Sequence, residues 1–193
     1  MRRPALAALL LAAACARGLP GPYAVLETSK GRIVARLYAD QAPKTVAHLR
    51  SLSDGTKPWR DPKTGQIALR PLYDGTVFHR VIPGFLIQGG DPTGTGDGDP
   101  AAPVADELSG SRFDRPGLLG MASWGPGSSQ TQFFITLAPA PDLDGKHTLF
   151  GEVVEGLDVA KAIASVPRDE KSGNDRPLEP PVLESLRVVA SRP

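Results

Sequence analysis

Punctuation limits this chain more than anything else in it. Apolar runs of strand length at 76–82, 85–88, 117–121, 132–136 and 149–153 are each closed off by glycine, proline or aspartate. Only two stretches repeat apolar residues at helical spacing, and they do not alternate regularly with the strands. A parallel doubly wound sheet needs that alternation, so the pattern excludes it. Many short strands with turns between them must instead dispose of their exposed edges, and a closed antiparallel barrel does so most completely. At 193 residues, 40% hydrophobic and 22% charged, the chain suits one core and one domain behind a short leader.

The order along the chain is as follows. Residues 1–19 read as a leader: Arg2 and Arg3, then an Ala/Leu run from Ala5 to Ala14 that falls short of the roughly 20 residues a membrane span needs. Two cleavage readings stand side by side. Ala12, Ala14 and Ala16 suit ordinary signal peptidase, whereas Ala13-Ala14-Cys15 resembles the end of a bacterial lipoprotein box, which makes Cys15 the lipidation site. Both readings place the mature domain, 20–193, outside the cytoplasm, in the periplasm or lipid-anchored to the membrane. Because Cys15 is the only cysteine, a monomer has no internal disulfide. Residues 23–38 form a hairpin turning at Ser29-Lys30-Gly31, with Ile33, Ala35 and Leu37 alternating against Arg32, Val34 and Arg36. A helix opens at Pro43, carries Val46, Leu49 and Leu52 on one face and ends at Asp54-Gly55. Residues 56–71 read as a surface excursion. A second helix, 157–164, a polar loop, 167–181, and a last strand, 182–189, complete the chain.

Several chemistries are excluded by what is missing. A net charge of +1 and a pI near 7.9 give no basic footprint for nucleic acid. The segment GDPTGTGDGDP has no Lys-Ser/Thr ending and opens no helix, so it is not a phosphate cradle, and its aspartates do not have EF-hand spacing. It reads as a solvated turn. His48, His79 and His147 are far apart with no second cysteine near them, so no metal site is expected. Ser123, Ser128 and Ser129 lie in a Gly/Pro loop without a G-x-S-x-G elbow, so a hydrolase triad is not supported.

Three apolar segments remain, each interrupted by one or two polar residues: FHRVIPGFLIQGGD, GLLGMASWGPGSSQTQFFIT and LDGKHTLFGEVVEG. Together they resemble the signature segments of the cyclophilin family of peptidyl-prolyl cis/trans isomerases, in order and spacing, across residues 23–189. The resemblance implies a mostly β fold, a closed eight-stranded antiparallel β-barrel capped by two α-helices. It implies rotamase activity on X-Pro bonds without any cofactor, and proline-containing peptides and unfolded or folding proteins as partners of a monomer. Position by position, it places the catalytic arginine at Arg80 and the apolar floor for the proline ring at Phe85, Leu86, Phe134 and Leu143. Peptide contacts fall at Gln88 and Gln132, with Ala122 and Ser123 along the groove and His147 at its rim. His79, next to Arg80, points to the opposite strand face by the two-residue period and is structural.

The chain departs from the family pattern at two places. Asp142 stands where many members carry a tryptophan that contacts cyclosporin, which implies weak binding of that drug. Ser123-Trp124 replaces the common Asn-Ala. The alternative function on the same barrel is a non-catalytic proline-peptide-binding or chaperone module, which would not need Arg80. The cellular role expected from an exported isomerase is assistance to the folding of exported proteins.

Overall fold

The computed structural model describes residues 21–98, 100–110, 112–170 and 173–193. Cys15 and the leader lie outside them. In chain order the elements are β1 (Tyr23–Thr28), β2 (Gly31–Leu37), α1 (Pro43–Ser53), β3 (Trp59–Arg60), β4 (Ile67–Ala68), β5 (Thr76–Val77), β6 (Arg80–Ile82), β7 (Leu86–Gly89), β8 (Leu118–Met121) and β9 (Phe133–Thr136). A 3-10 turn (Pro141–Leu143), β10 (Leu149–Glu155), α2 (Leu157–Ala164), β11 (Arg168–Asp169), β12 (Arg176–Pro177) and β13 (Val182–Val189) follow.

Nine strands form one antiparallel sheet in the order β5-β13-β1-β2-β10-β8-β9-β7-β6. It curls strongly but remains an open half-barrel, which corrects the closed eight-stranded barrel expected above. Closure would require β5 to pair with β6. Instead Val77 of β5 makes a single bridge to Asp91, just past β7, and the free edge of β6 is satisfied from elsewhere, the Val81 N–H donating to the Asp175 carbonyl at 3.0 Å. A loop thus covers the edge that a strand would otherwise have to pair. The small hairpins β3-β4 and β11-β12 stand apart from the main sheet.

The strand expected at 76–82 is two strands. β5 pairs with β13 and β6 with β7, and between them the Phe78 N–H donates to the Pro181 carbonyl at 2.9 Å. The 56–71 excursion is anchored rather than free: Trp59 is buried in the core, its indole donating to the Arg70 carbonyl at 3.0 Å beneath the Arg70 guanidinium.

Helix α1 packs on β13, and α2 on β2, β6 and β7. Ala42 provides no side-chain cap for α1. Glu107, far away in sequence, does so instead, accepting from the Lys44 and Thr45 N–H groups at 3.0 and 2.8 Å and from Thr45 Oγ1 at 2.8 Å, where a carboxylate also meets the positive end of the helix dipole.

Two apolar clusters lie on opposite faces of β7, β8 and β9. Ile87, Leu119, Phe133 and Ile135 belong to the main core, while Leu86, Leu118 and Phe134 join Phe113, Ala140 and Leu149 in a second, smaller one. This two-sided burial explains why β8 and β9 are buried at every position instead of alternating.

Candidate active site

Register explains why an apolar run carries both Arg80 and Gln88. β6 and β7 form a hairpin around Pro83-Gly84, with Gly84 at φ +73°, a left-handed turn conformation that glycine adopts without strain. Arg80 and Gln88 are direct cross-strand partners, so they share a face. The row continues across the sheet: Gln88 is opposite Phe134, Phe134 opposite Gly120, and Gly120 opposite Leu149. With strands about 4.8 Å apart, Arg80 and Phe134 originate roughly 10 Å from one another.

The row opens onto a groove of about 480 Å³. All ten positions named for it, Arg80, Phe85, Leu86, Gln88, Ala122, Ser123, Gln132, Phe134, Leu143 and His147, line it. Its apolar end is the second cluster, against which Phe85, Ala122 and Leu143 pack half-buried. The Phe134 ring lies directly over Gly120, where a Cβ would overlap the ring's Cζ and come within 2.6 and 2.8 Å of the two carbons beside it, closer than any side chain tolerates. Phe113 and His147 contact the same ring, at centroid distances of 5.4 and 5.5 Å. Phe113 is itself held by its N–H, which donates to Asp144 at 2.7 Å. His147 Nδ1 donates to the Met121 carbonyl at 3.0 Å.

Arg80 is half-buried, and among the described residues its guanidinium makes no hydrogen bond or ion pair. The two glutamines are already engaged. Gln88 Nε2 donates to Gln132 Oε1 at 2.9 Å, and Gln132 Nε2 donates to the Gly96 and Gly98 carbonyls at 2.9 and 3.1 Å. Gln88 Oε1 therefore stays free to accept from a peptide N–H.

Two sequence expectations are corrected here. The Gly-rich segment is a turn with Thr93, Thr95 and Asp97 exposed, but it is not solvated throughout, since Asp91 is fully buried. Its carboxylate accepts from the Thr93 hydroxyl at 2.7 Å and from the N–H groups of Thr93 at 2.7 Å, Gly96 at 2.7 Å and Gly98 at 3.2 Å. Burial works against its charge, but these hydrogen bonds outweigh burial and hold its pKa below the usual carboxylate range. Gly98 is a glycine by necessity, because a Cβ there would overlap the carboxylate. His79 is not turned away from the groove but lines it, because the chain leaves the strand at Phe78-His79 and the two-residue period does not carry across. Burial, helped by the nearby Arg176 and Arg80 charges and opposed by Asp91 and Gln132, lowers its pKa.

Sequence reasoning missed Gly120, Thr95, Gly96, Asp97, Asn174 and Arg176. The glycine left a signal, since a glycine inside an apolar strand run marks a close approach. The others sit on loops, and nothing in their residue types marks them. Asp142 is exposed on the 3-10 turn beside Leu143. Among the described residues no cluster of His, Cys, Asp and Glu suits a metal ion.

An open antiparallel half-barrel with two helices thus carries, along one groove, an arginine unpaired among the described residues and an apolar ring pocket. The sequence comparisons make this specific. The family described as cyclophilin type peptidyl-prolyl cis-trans isomerase/CLD matches residues 23–188, and the chain belongs to that family of isomerases. Peptidyl-prolyl cis-trans isomerase B of Streptomyces anulatus is 49% identical over 173 residues, covering 88% of this chain and 97% of the relative. Peptidyl-prolyl cis-trans isomerase A of Mycobacterium tuberculosis is 45% identical over 166 residues, covering 86% and 91%. A crystal structure of a Cryptosporidium parvum cyclophilin type isomerase superposes with a TM-score of 0.73 at 30% identity, covering 89% of this chain and 98% of that one. A second structure of that protein was obtained in the presence of the dipeptide Ala-Pro.

Proposed function

We propose that Arg80 is the catalytic residue of this isomerase and that Phe85, Leu86, Gln88, Ala122, Ser123, Gln132, Phe134, Leu143 and His147 hold the X-Pro segment around it. The observation that carries this reading is the Arg80 guanidinium, half-buried and unpaired among the described residues, in the same cross-strand row as Phe134. A half-buried arginine without a partner among the described residues is placed to be completed by a ligand.

The chemistry is a rotation. The X-Pro amide has a barrier of about 18–20 kcal/mol because its C–N bond is partly double. As the bond twists, the proline nitrogen loses conjugation and regains its lone pair. A guanidinium N–H directed at that nitrogen stabilises the twisted form more than either planar form, which is catalysis by differential binding. Phe134, Phe85, Leu86 and Leu143 grip the pyrrolidine ring so that only the acyl side turns. Gln88 Oε1 and the backbone along Ala122-Ser123 hold the flanking chain. An acceleration of order 10⁵ corresponds to about 7 kcal/mol. One charge-assisted hydrogen bond supplies about 1.5–3 kcal/mol of that, so clamping and the partly dry groove contribute the remainder.

Protease-coupled isomerisation of an X-Pro peptide by residues 20–193 tests this. Arg80→Ala should lower kcat/KM by about 10- to 150-fold, with thermal unfolding unchanged within a few degrees and Arg80→Lys recovering only part of the loss. An Arg80→Ala variant as active as the parent would remove Arg80 from the reaction.

The same reading extends to the cell. Residues 1–19 carry the pattern of an export leader, which supports action on X-Pro bonds of folding proteins outside the cytoplasm, as a monomer, either free in the periplasm or anchored through a lipid on Cys15. Mass spectrometry of the mature N-terminus separates the last two: a lipid-bearing Cys15 gives the anchored form, and a free amine beyond it the soluble one. Refolding of a cis-proline protein with and without the isomerase tests folding assistance.

A further inference from the structure

The excursion 56–71 lines no part of the groove, and its hairpin has two unlike faces. Trp59 and Ala68, cross-strand partners, turn inward, Trp59 into the core and Ala68 against it. Arg60 and Ile67, the next pair, face outward by the two-residue period, and Leu69 follows Ile67 on the same side. Ile67 is 62% exposed and Leu69 69%. Two large aliphatic side chains thus stand about 6–7 Å apart along one outer face, uncovered.

The backbone of this strand is open as well. The Arg60 N–H donates to the Pro100 carbonyl at 3.0 Å, away from β4, while the Asp61 N–H donates to the Gln66 carbonyl at 2.8 Å. In an antiparallel ladder this makes Arg60 and Ile67 a non-hydrogen-bonded pair, so the N–H and C=O of Ile67 point away from β3. Neither these groups nor those of Leu69 find a partner among the described residues. Pro100 meets the outer edge of β3, whereas β4 presents a free edge with exposed apolar side chains, an arrangement proteins normally avoid.

Charge selects what fits there. Residues 56–71 carry Lys57, Arg60, Lys63 and Arg70 against one carboxylate, Asp61, which Arg70 already holds at 2.7 Å. Lys57 faces the His48 ring. Arg60 and Lys63 are exposed and make no ion pair among the described residues; Arg60 donates to a neutral group, the Gly65 carbonyl, at 2.6 Å. A second copy of the hairpin brings the same cations and is repelled. A lipid surface covers aliphatic side chains but has no row of alternating donors and acceptors to pair with a strand edge. An extended peptide with apolar residues at alternate positions and carboxylates near them satisfies the edge, the side chains and the charge together.

We propose that the outer edge of β4 is a docking site for an extended, apolar and acidic segment of a non-native polypeptide, which adds to Ile67 and Leu69 as a further strand. The site stands apart from the groove and needs no proline in the segment. A chain held there presents its X-Pro bonds to Arg80 at raised local concentration; this use, unlike the docking itself, rests on the function proposed above.

The test titrates residues 20–193 with a proline-free peptide of about ten residues that alternates Val with Asp and Thr. Its controls are the same peptide with Lys for Asp, and one N-methylated at alternate amides so that it cannot pair. The parent should bind the acidic peptide at least about five-fold more tightly than either control, with NMR amide shifts at Ile67 and Leu69. Ile67→Pro removes an N–H that β3 does not use and should cost about ten-fold in affinity. Ile67→Ser combined with Leu69→Ser should cost a similar factor and keeps the test valid if proline distorts the hairpin. Both variants should retain parental activity on a short X-Pro peptide but accelerate refolding of a proline-limited protein several-fold less. Equal affinity for the three peptides, or parental affinity in both variants, overturns the docking site. Self-association of the parent that Ile67→Pro abolishes, or binding to phosphatidylglycerol vesicles in place of the peptide, overturns it in favour of a second copy or a lipid surface. Docking that persists while Arg80→Ala keeps full activity overturns the catalytic reading and leaves the docking site standing.

Discussion

Replacing Gly120 with alanine should damage activity out of proportion to its size. Gly120 has no unusual backbone angle to protect, so an alanine is acceptable to the chain itself. The obstacle is steric: the new Cβ would sit 2.6 and 2.8 Å from two carbons of the Phe134 ring, where carbon pairs normally rest at about 3.5–4.0 Å. The ring's Cζ would lie closer still, so the ring edge must retreat by well over ~1 Å. It cannot do so freely, because Phe113 and His147 pack against it and its strand is paired on both sides. Overpacking of this kind costs about 1–3 kcal/mol, which for a chain of this length lowers Tm by roughly 2–12 °C. A floor displaced by ~1 Å or more should cost kcat/KM at least about 100-fold. Protease-coupled isomerisation and thermal unfolding measure the two effects, with Phe134→Leu alone and in combination. In the double variant the smaller side chain makes room for the methyl, so the two losses should be less than additive. A Gly120→Ala chain with parental kcat/KM, or strictly additive losses, would show that the ring is not held over Gly120 as described.

The cap on α1 is open to a simpler test. Glu107→Ala removes every acceptor from the Lys44 and Thr45 N–H groups and should lower stability by about 0.5–2 kcal/mol, read as a lower urea midpoint at unchanged slope; no change would mean that solvent caps the helix equally well. Acid should weaken the fold through His48. Its Nε2–H donates to the Gln130 carbonyl and its Nδ1 faces the Lys57 ammonium at 2.7 Å, so the ring is held neutral, and burial, opposed by the bond to Gln130 and aided by Lys57, brings its pKa to about 4 from 6.5. The unfolded chain then binds the extra proton first. This contribution is complete above pH 6.5 and is lost as pH falls towards 4, at most about 3 kcal/mol, with His79 acting in the same direction. Urea unfolding at pH 7 and pH 4.5 should show a smaller drop for His48→Gln than for the parent; equal drops would discard the account.

The local signals in the chain were clear where the physics is local. Pro43 and Gly55 bracket α1 as expected, and the alternation of Ile33, Ala35 and Leu37 lies in β2 facing the core. The positions read from the three polar-interrupted segments come together along one groove because cross-strand register, unlike strand ends, is tied to the pattern of faces. What was not legible depends on partners distant in sequence. The run 76–82 reads as one strand because its residue types favour extension, yet β13 claims one end and β7 the other. Asp91 among glycines reads as solvated, because the convergence of the N–H groups of Thr93, Gly96 and Gly98 on its carboxylate is a property of the folded loop. Closure of the barrel failed for a similar reason: the Asp175 carbonyl, from a polar loop, occupies the edge of β6.

The two apolar clusters on opposite faces of β7, β8 and β9 bear on how quickly the site can breathe. Amides in these strands are shielded by packed side chains above and below, so solvent hydrogen should reach them only through large-scale opening, later than amides of β5, β11 or β12. The groove floor should therefore exchange late, and its far wall, on the Asp91–Gly98 and 173–176 loops, earlier. An enzyme whose only task is to hold one side of a bond still while the other turns has its anvil in the first and its adjustable fence in the second.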